Sequence, residues 1–300
     1  MASKGYGLVG DSGVLASIFQ ARLSRTNTTT ITLDRYNGSS CVVNGEDIDP
    51  GSGGIACVTT DNLISSTGTD SAGAMGASTL YYIYLSNTSA SFAPSDVRGS
   101  ATAPSSYNGV KYLATSGNGA NWRFVGYVRT NASTNFVDDT TDRLVVNFYN
   151  RQVKSLFLNP GYADANSATT YTNATADDWV AVNGGTGATG SWIANGEDAI
   201  KADTFMVLSN GTLASKTRMG LGIDDTSAAS KIHTSGGAAV AGERFCISGS
   251  YCAVETEGYH TITMLTTVDS GTATIIADSG RMSGEGADAR TTSLWATVMV

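Results

Sequence analysis

From residue 29 to residue 300 the chain is a succession of short runs in which apolar and polar side chains alternate, with almost no segment of helical spacing. "TTITLDR", "GIACVTT", "STLYYIYLS", "NGVKYLAT", "NWRFVGYVRT" and "DRLVVNFYN" come first, each bounded by Gly, Asn, Ser or Asp. A period of two sends successive side chains to opposite faces of a pleated strand, so these runs predict half-buried antiparallel sheet. In "NWRFVGYVRT" the alternation sets Trp122, Phe124 and Val128 on one face and Arg123, Tyr127 and Arg129 on the other. Composition agrees. There are 35 glycines and 4 prolines, and charged residues are only 15%, where about 25% is usual for a soluble domain.

The segment "RQVKSLFLNPGYADANSA" reads as a crossing into a second unit. Its strands would be "SLFLN", "DWVAVN", "SWIAN", "TFMVLSN", "TRMGLGI", "ERFCIS", "CAVE", "YHTITMLTTV", "ATIIADS" and "SLWATVMV". Turn signals recur every ~8–12 residues, as in a sandwich or jelly roll. The predicted fold class is therefore all-β: two antiparallel β-sandwich or jelly-roll-like domains, residues 29–151 and 152–300, behind a short N-terminal arm, residues 1–28. "NGED" occurs at 44–47 and at 195–198, too little to make a duplication.

The arm differs from the rest. After Asp11 and Ser12 the apolar residues Val14, Leu15, Ile18, Phe19 and Leu23 fall at helical spacing. Asp11 or Ser12 suits the N-cap, where a side-chain oxygen accepts a free backbone N–H of the first turn. The arm thus predicts a short amphipathic helix whose apolar stripe docks on the same molecule or on a partner.

Charge and hydropathy narrow the function classes. The net charge of −8 argues against sequence-independent nucleic-acid binding, which needs a basic stripe to displace counterions. No apolar run reaches the ~18 residues of a membrane span. "MASKGYGLVGDSG" has no uninterrupted apolar core of a secretory signal, so use without Sec export is expected. Four cysteines do not make a disulfide scaffold. Two cross-strand pairings are nevertheless conceivable: a turn at Ser248-Gly249-Ser250 would set Cys246 opposite Cys252, and a hairpin centred near Asp49 would pair Cys41 with Cys57. The alternative, favoured by a cytosolic setting, is four reduced thiols in the core. Zinc is not expected, for there is no Cys-x-x-Cys and no close His pair.

Several motifs carry chemistry elsewhere. "GDSG" at 10–13 resembles the nucleophile block of a Gly-Asp-Ser hydrolase, yet the helices and parallel strands that position such a serine are missing from the pattern. The nearest partner block is Glu257-Gly-Tyr-His260, and no His precedes His233. Ser12 therefore reads as a helix cap. "GTGATG" at 185–190 matches a dinucleotide fingerprint, but a strand rather than a helix is predicted to follow it. His260 shares a strand face with Ile262, Met264 and Val268 and reads as a hydrogen-bonded interior residue; His233 lies in a Ser/Thr/Gly loop. Asp138, Asp139 and Asp142 could contribute to a Ca²⁺ site, although a solvated loop is the simpler reading. Tyr81 or Tyr82 could stack on sugars, although aromatic packing is the commoner use. No catalytic residue, cofactor or metal is expected.

At "TLYYIYLSN…APSSYNGVKYLA…WRFVGYVRTN…FVDDTTDRLVVNFYNR" the chain is similar to virion proteins of tailed bacteriophages. Those carry an aromatic "LYYVY" strand, a Gly-x-x-Tyr-Leu strand, an "LVGxVRTN" strand, an "F(V)D" turn and a closing "SxFNR". The matching positions are Leu80 to Tyr84, Gly109 to Leu113, Phe124 to Asn131, Phe136 to Asp139, and Asn147 to Arg151. "GYHTITMLTTVDSGTATIIA…LWATVMV" also resembles the last strands of trimeric phage jelly-roll knobs. The resemblance implies a non-enzymatic structural protein on the virion surface, made in the bacterial cytoplasm and expected to be a homotrimer. The first expectation is a capsid decoration or cement protein that binds the major capsid protein or other virion proteins, anchored through Val14, Leu15, Ile18, Phe19 and Leu23. The alternative is a receptor-binding tail fibre or tip that holds a host surface glycan. A serine hydrolase using Ser12 is the remote third.

Overall fold

The structure, a computed structural model, describes residues 18–60, 63–64, 70–71, 73–86, 97–107, 110–113, 121–160, 170–173, 176–185, 187–231, 233–237, 239–276 and 292–300. The fold is all-β. One short 3₁₀ turn, Val182–Gly185, stands among the described strands. The chain divides into two units. One comprises Met1–Val137, Leu144–Gln152 and Val300; the other comprises Asp138–Arg143 and Val153–Met299.

The first unit begins with β1 (Ala21–Arg25), β2 (Thr30–Arg35), β3 (Cys41–Val43), β4 (Glu46–Ile48), β5 (Ile55–Val58), β6 (Leu63–Ile64) and β7 (Asp70–Ser71). β8 (Leu80–Ser86), β9 (Val97–Ser100), β10 (Ser105–Tyr107), β11 (Val110–Tyr112) and β12 (Trp122–Arg129) follow. β13 (Asp142–Arg143) belongs to the second unit, and β14 (Val145–Asn147) returns to the first. β1-β2-β5 form an antiparallel sheet and β3-β4 a hairpin. The large sheet runs β10-β11-β12-β8-β9-β6-β7, with β14 also on β12. Phe19, Leu23, Ile31 and Leu33 share one hydrophobic core with Ile83, Leu85, Val125 and Val128.

Two expectations are corrected here. The arm helix predicted through Leu23 does not form over its described part. Phe19 bridges to Cys41 and residues 21–25 are β1, paired with β2. The buried set is Phe19, Ala21 and Leu23, which is strand alternation. An i, i+4 apolar pair fits a strand as well as a helix, and the small Ala21 between them decides the matter. Val14 and Leu15 lie outside the described residues. The faces of β12 are the second correction. A β-bulge between Phe124 and Gly126 shifts the register against β8. Past the bulge the alternation inverts, so Val125 and Val128 both enter the core while Phe124 and Tyr127 meet on the other side. β12 is buried on both faces, not half-buried.

The second unit continues with β15 (Val153–Leu158), β16 (Thr170–Asn173), β17 (Val180–Ala181), β18 (Thr189–Ala194), β19 (Ala199–Asn210) and β20 (Thr217–Ile223). Then come β21 (His233–Gly236), β22 (Arg244–Val254), β23 (Gly258–Val268), β24 (Ala273–Ile276) and β25 (Ser293–Met299). One sheet runs β13-β18-β23-β20-β21 with β17 on β23; the other runs β15-β25-β19-β24-β16 with β22 on β19. Their inner faces meet. The Thr204 hydroxyl of β19 lies 3.5 Å from the Met219 sulfur of β20, and Gly236 of β21 abuts Phe245 and Ile247 of β22.

Candidate functional site

His260 has the environment most like a catalytic one. It sits on β23 opposite Trp192 of β18, with ring centroids 5.4 Å apart. Its Nδ1 lies 2.7 Å from Asp224 Oδ2 and its Nε2 2.8 Å from the Thr256 carbonyl. Both ring nitrogens therefore face acceptors of the same chain, and a general base would need one turned to a reactant. His260 is buried, as the sequence pattern predicts. Its carboxylate partner is Asp224 and not Glu257. The sequence signal for Asp224 was the Asp-Asp pair closing β20. Asp225 caps the turn that follows, accepting from the Ser227 and Ala228 amides. Asp224 itself holds φ 57 and accepts from the Thr261 amide at 2.7 Å. Nearby, the Tyr251 hydroxyl donates to Glu255. Burial, and then that carboxylate, push its ionisation above the usual phenol range. Ser12 lies outside the described residues, as does the side chain of His233.

The three aspartates of "VDDTTDR" do not converge. Asp138 pairs with Lys154 Nζ at 2.5 Å and with Arg143 at 3.4 Å. Asp139 closes a local turn, accepting from the Thr141 and Asp142 amides at 2.8 and 3.0 Å. Asp142 accepts from the Ser191 hydroxyl. Each carboxylate is committed to protein donors, and among the described residues no group of His, Cys, Asp or Glu is placed to hold a metal ion. "GTGATG" leads from the 3₁₀ turn into β18, so no helix N-terminus faces a phosphate there. Tyr81 is buried, its hydroxyl accepting from the Gly76 amide, and Tyr82 packs on Phe124 and Tyr127.

The cysteine pairings are corrected by the register. Cys41 lies opposite Ile48 in the β3-β4 hairpin, whose turn is Asn44-Gly45 with φ 48 and 85. Cys57 lies opposite Ile31. Cys246 and Cys252 share one unbroken strand, β22, so no turn forms at Ser248-Gly249-Ser250. All four thiols are free; Cys41 and Cys57 are buried, while Cys246 and Cys252 are exposed. Burial pushes the Cys41 thiol up to about 11 and the Cys57 thiol to about 12, out of reach of redox or nucleophilic duty at neutral pH.

Buried Arg123 is the polar anchor of the first unit. It donates to the Ile18 carbonyl at 3.0 Å and to the Val42 carbonyl, and its guanidinium stacks on Tyr149 and Phe19. It ties the chain entering β1 to the large sheet, a structural task.

What the second unit offers the outside is a sheet face. Opposed residues of antiparallel strands share a face, which aligns Phe157, Trp295, Asp203 and Ser250 across β15, β25, β19 and β22. Trp295 is 56% exposed and its ring lies 4.2 Å from that of Phe157. Ser250 donates to Asp203 at 2.6 Å, and Lys201 stands 3.6 Å from the same carboxylate. Val153 and Val254 are also exposed. A cavity of about 10 Å³, lined by Trp192, Asn195, Asp198, Ile200 and Met299, holds about one water molecule, far short of the ~300 Å³ at which ligand pockets begin.

No family model matches the chain, and no curated protein matches it. Among solved structures it is similar to infectious bursal disease virus, Gx strain, at 10% identity and TM-score 0.29. It is also similar to the Gt strain of that virus, at 10% and 0.28. A third likeness is to the VP2 subviral particle, at 11% and 0.28. Each alignment covers 74% of this chain and 57% of the other, so the chain spans little more than half the length of the structures it matches.

Proposed function

We propose that the chain is a non-enzymatic structural protein on the surface of a tailed-phage particle, a homotrimeric decoration or cement protein that binds the assembled head. One observation carries the reading. The segments that resemble phage virion proteins are separated in sequence, yet β8, β11, β12 and β14 are hydrogen-bonded neighbours in one sheet. Tyr82, Tyr84, Phe124, Tyr127 and Phe148 meet upon it. Motifs that reassemble as one packed unit are what a shared structural element requires. The mechanism is added interface: a subunit that binds only the assembled shell stabilises it by mass action.

Because Phe19 and Leu23 belong to the core and the Ile18 carbonyl is held by Arg123 and the Val42 amide, anchoring falls to residues ahead of them, Val14 and Leu15 included. Protein starting at Ile18 should fail to co-sediment with purified heads that the whole chain binds. Undiminished binding removes the anchor, and no binding by the whole chain removes the decoration reading.

Exposed Trp295 favours a second reading, a receptor-binding fibre tip. A flat aromatic face beside Asp203 and Ser250 is suited to stack on a host surface glycan while polar groups take its hydroxyls. Copy number from virion gel densitometry separates the two, since decoration requires many more subunits per particle. Reduced adsorption of Trp295→Ala particles would favour the fibre. Fluorophosphonate labelling of Ser12 in folded protein would overturn the non-enzymatic reading.

A further inference from the structure

We propose that β22 is a self-association edge, on which a second copy of this chain adds its own β22 antiparallel across a two-fold axis at Gly249. β22 is 11 residues long and pairs with β19 in unbroken register, from Ala199 opposite Val254 to Ser209 opposite Arg244. Among the described residues no strand pairs with its other edge. An unpaired edge is a template for another strand, and proteins that must stay apart blunt it with charges, proline or bulges. Between Phe245 and Val254 the strand carries none of these: it has no charged residue and no proline, and no bulge interrupts the pairing with β19.

The occupant is fixed by the sequence of the strand. Cys246-Ile247-Ser248-Gly249-Ser250-Tyr251-Cys252 is nearly the same read in either direction from Gly249. An antiparallel two-fold contact places a residue opposite its mirror position in the other copy. Cys246 then faces the second copy's Cys252, Ser248 faces Ser250, and Ile247 faces Tyr251. Phe245 faces Ala253, and Arg244 faces Val254, so no like charges oppose each other within the strand. The outward row is Cys246, Ser248, Ser250, Cys252 and Val254, all exposed, while Ile247 on the inner row is buried. The β15-β25-β19-β22 sheet would continue from one copy into the next without disturbing either core. This contact is independent of the virion reading. If the three-fold assembly also forms, a closed particle built on both symmetries holds a multiple of six chains.

The register makes the test specific. Diamide added to the whole chain takes two electrons and two protons from a facing Cys246–Cys252 pair, forming an inter-chain disulfide and the reduced hydrazine. Wild type should give disulfide-linked pairs on non-reducing gels and an even number of chains by light scattering. Cys246→Ser and Cys252→Ser should each fail to cross-link alone, because the surviving thiol faces a serine. Co-expressed, the two variants should cross-link to each other through one bridge. Ser248→Lys with Ser250→Lys sets lysines across the axis and should weaken association at least tenfold. Ser155→Lys with Thr297→Lys, on the same face but away from the edge, should leave it unchanged. A single chain or an odd number in wild type, cross-linking of either single variant alone, or no wild-type cross-link would overturn the proposal. So would equal weakening by the two lysine pairs.

Discussion

At the scale of single residues, the buried thiols of the first unit have a measurable consequence. The ordinary thiol value is 9.0, and burial first of all raises Cys41 to about 11 and Cys57 to about 12. Below pH 9 both are neutral in folded and unfolded chains, and their contribution is fully present. Above pH 9 the unfolded chain loses protons that the folded chain retains, so stability falls as pH rises toward 11–12, by up to about 1.4 kcal/mol per pH unit for each thiol. Cys57→Ala removes one titration and leaves a small cavity whose cost does not depend on pH. Urea unfolding at pH 8.5, 10 and 11 should show a shallower decline for the variant, and parallel declines would contradict the burial argument. The same scale shows why the sequence misled about these cysteines. "NGED" at 44–47 opens on Asn-Gly, the strongest short hairpin signal, which closes β3-β4 with both residues at positive φ and so moves the turn away from Asp49. At 195–198 the same letters do another job. Asn195 accepts from the Glu197 and Asp198 amides, and the turn leads from β18 in one sheet to β19 in the other. Four letters do not carry the tertiary context that separates these roles.

At the scale of elements, alternation made most strands legible, because burial on one face is written directly into the period. "ERFCIS" and "CAVE" merged into β22 because the Ser-Gly-Ser between them, turn-like by composition, is held extended by β19. β12 failed differently, since a bulge leaves no compositional mark except Gly126. A Cβ there would run into the Val146 carbonyl oxygen, so the close approach of β14 demands glycine. Gly126→Ala should cost about 2–3 kcal/mol through forced backbone displacement. Gly211→Ala, with open space around it, should change stability by less than about 0.5 kcal/mol. Paired thermal melts of the two variants check this, and equal shifts would refute the steric account. β1 gives a complementary prediction. Phe19→Ala and Leu23→Ala should each cost about 3 kcal/mol in denaturant unfolding, as cavities in a shared core do. A detachable anchoring helix would instead leave stability unchanged while head binding fell.

At the scale of the whole molecule, the chain does not pass from one unit to the other at a single point. Sequence put the boundary between Arg151 and Gln152, where a run of loop residues precedes "SLFLN". Contacts group Asp138–Arg143 with the second unit and residues 144–152 with the first. The reason lies in hydrogen bonds that no local pattern announces. The Phe157 amide donates to the Thr140 carbonyl at 2.7 Å and the Ser191 amide to the Thr141 carbonyl at 3.0 Å. The Arg143 guanidinium grips the Ser155 carbonyl at 2.7 and 2.9 Å. Asp138, its side chain only 9% exposed, sits between Arg143 and Lys154. A largely buried carboxylate between two cations is costly to break from one side, because it leaves desolvated charge behind. Asp138→Asn should therefore destabilise the chain by about 3 kcal/mol. Lys154→Met in the Asp138→Asn background should cost much less than Lys154→Met alone, and a double-mutant cycle read from denaturant midpoints measures the difference. Coupling near zero would mean that backbone hydrogen bonds alone hold the segment. Strong coupling would make this ion pair the feature that carries residues 138–143 out of the domain to which their place in the sequence assigns them.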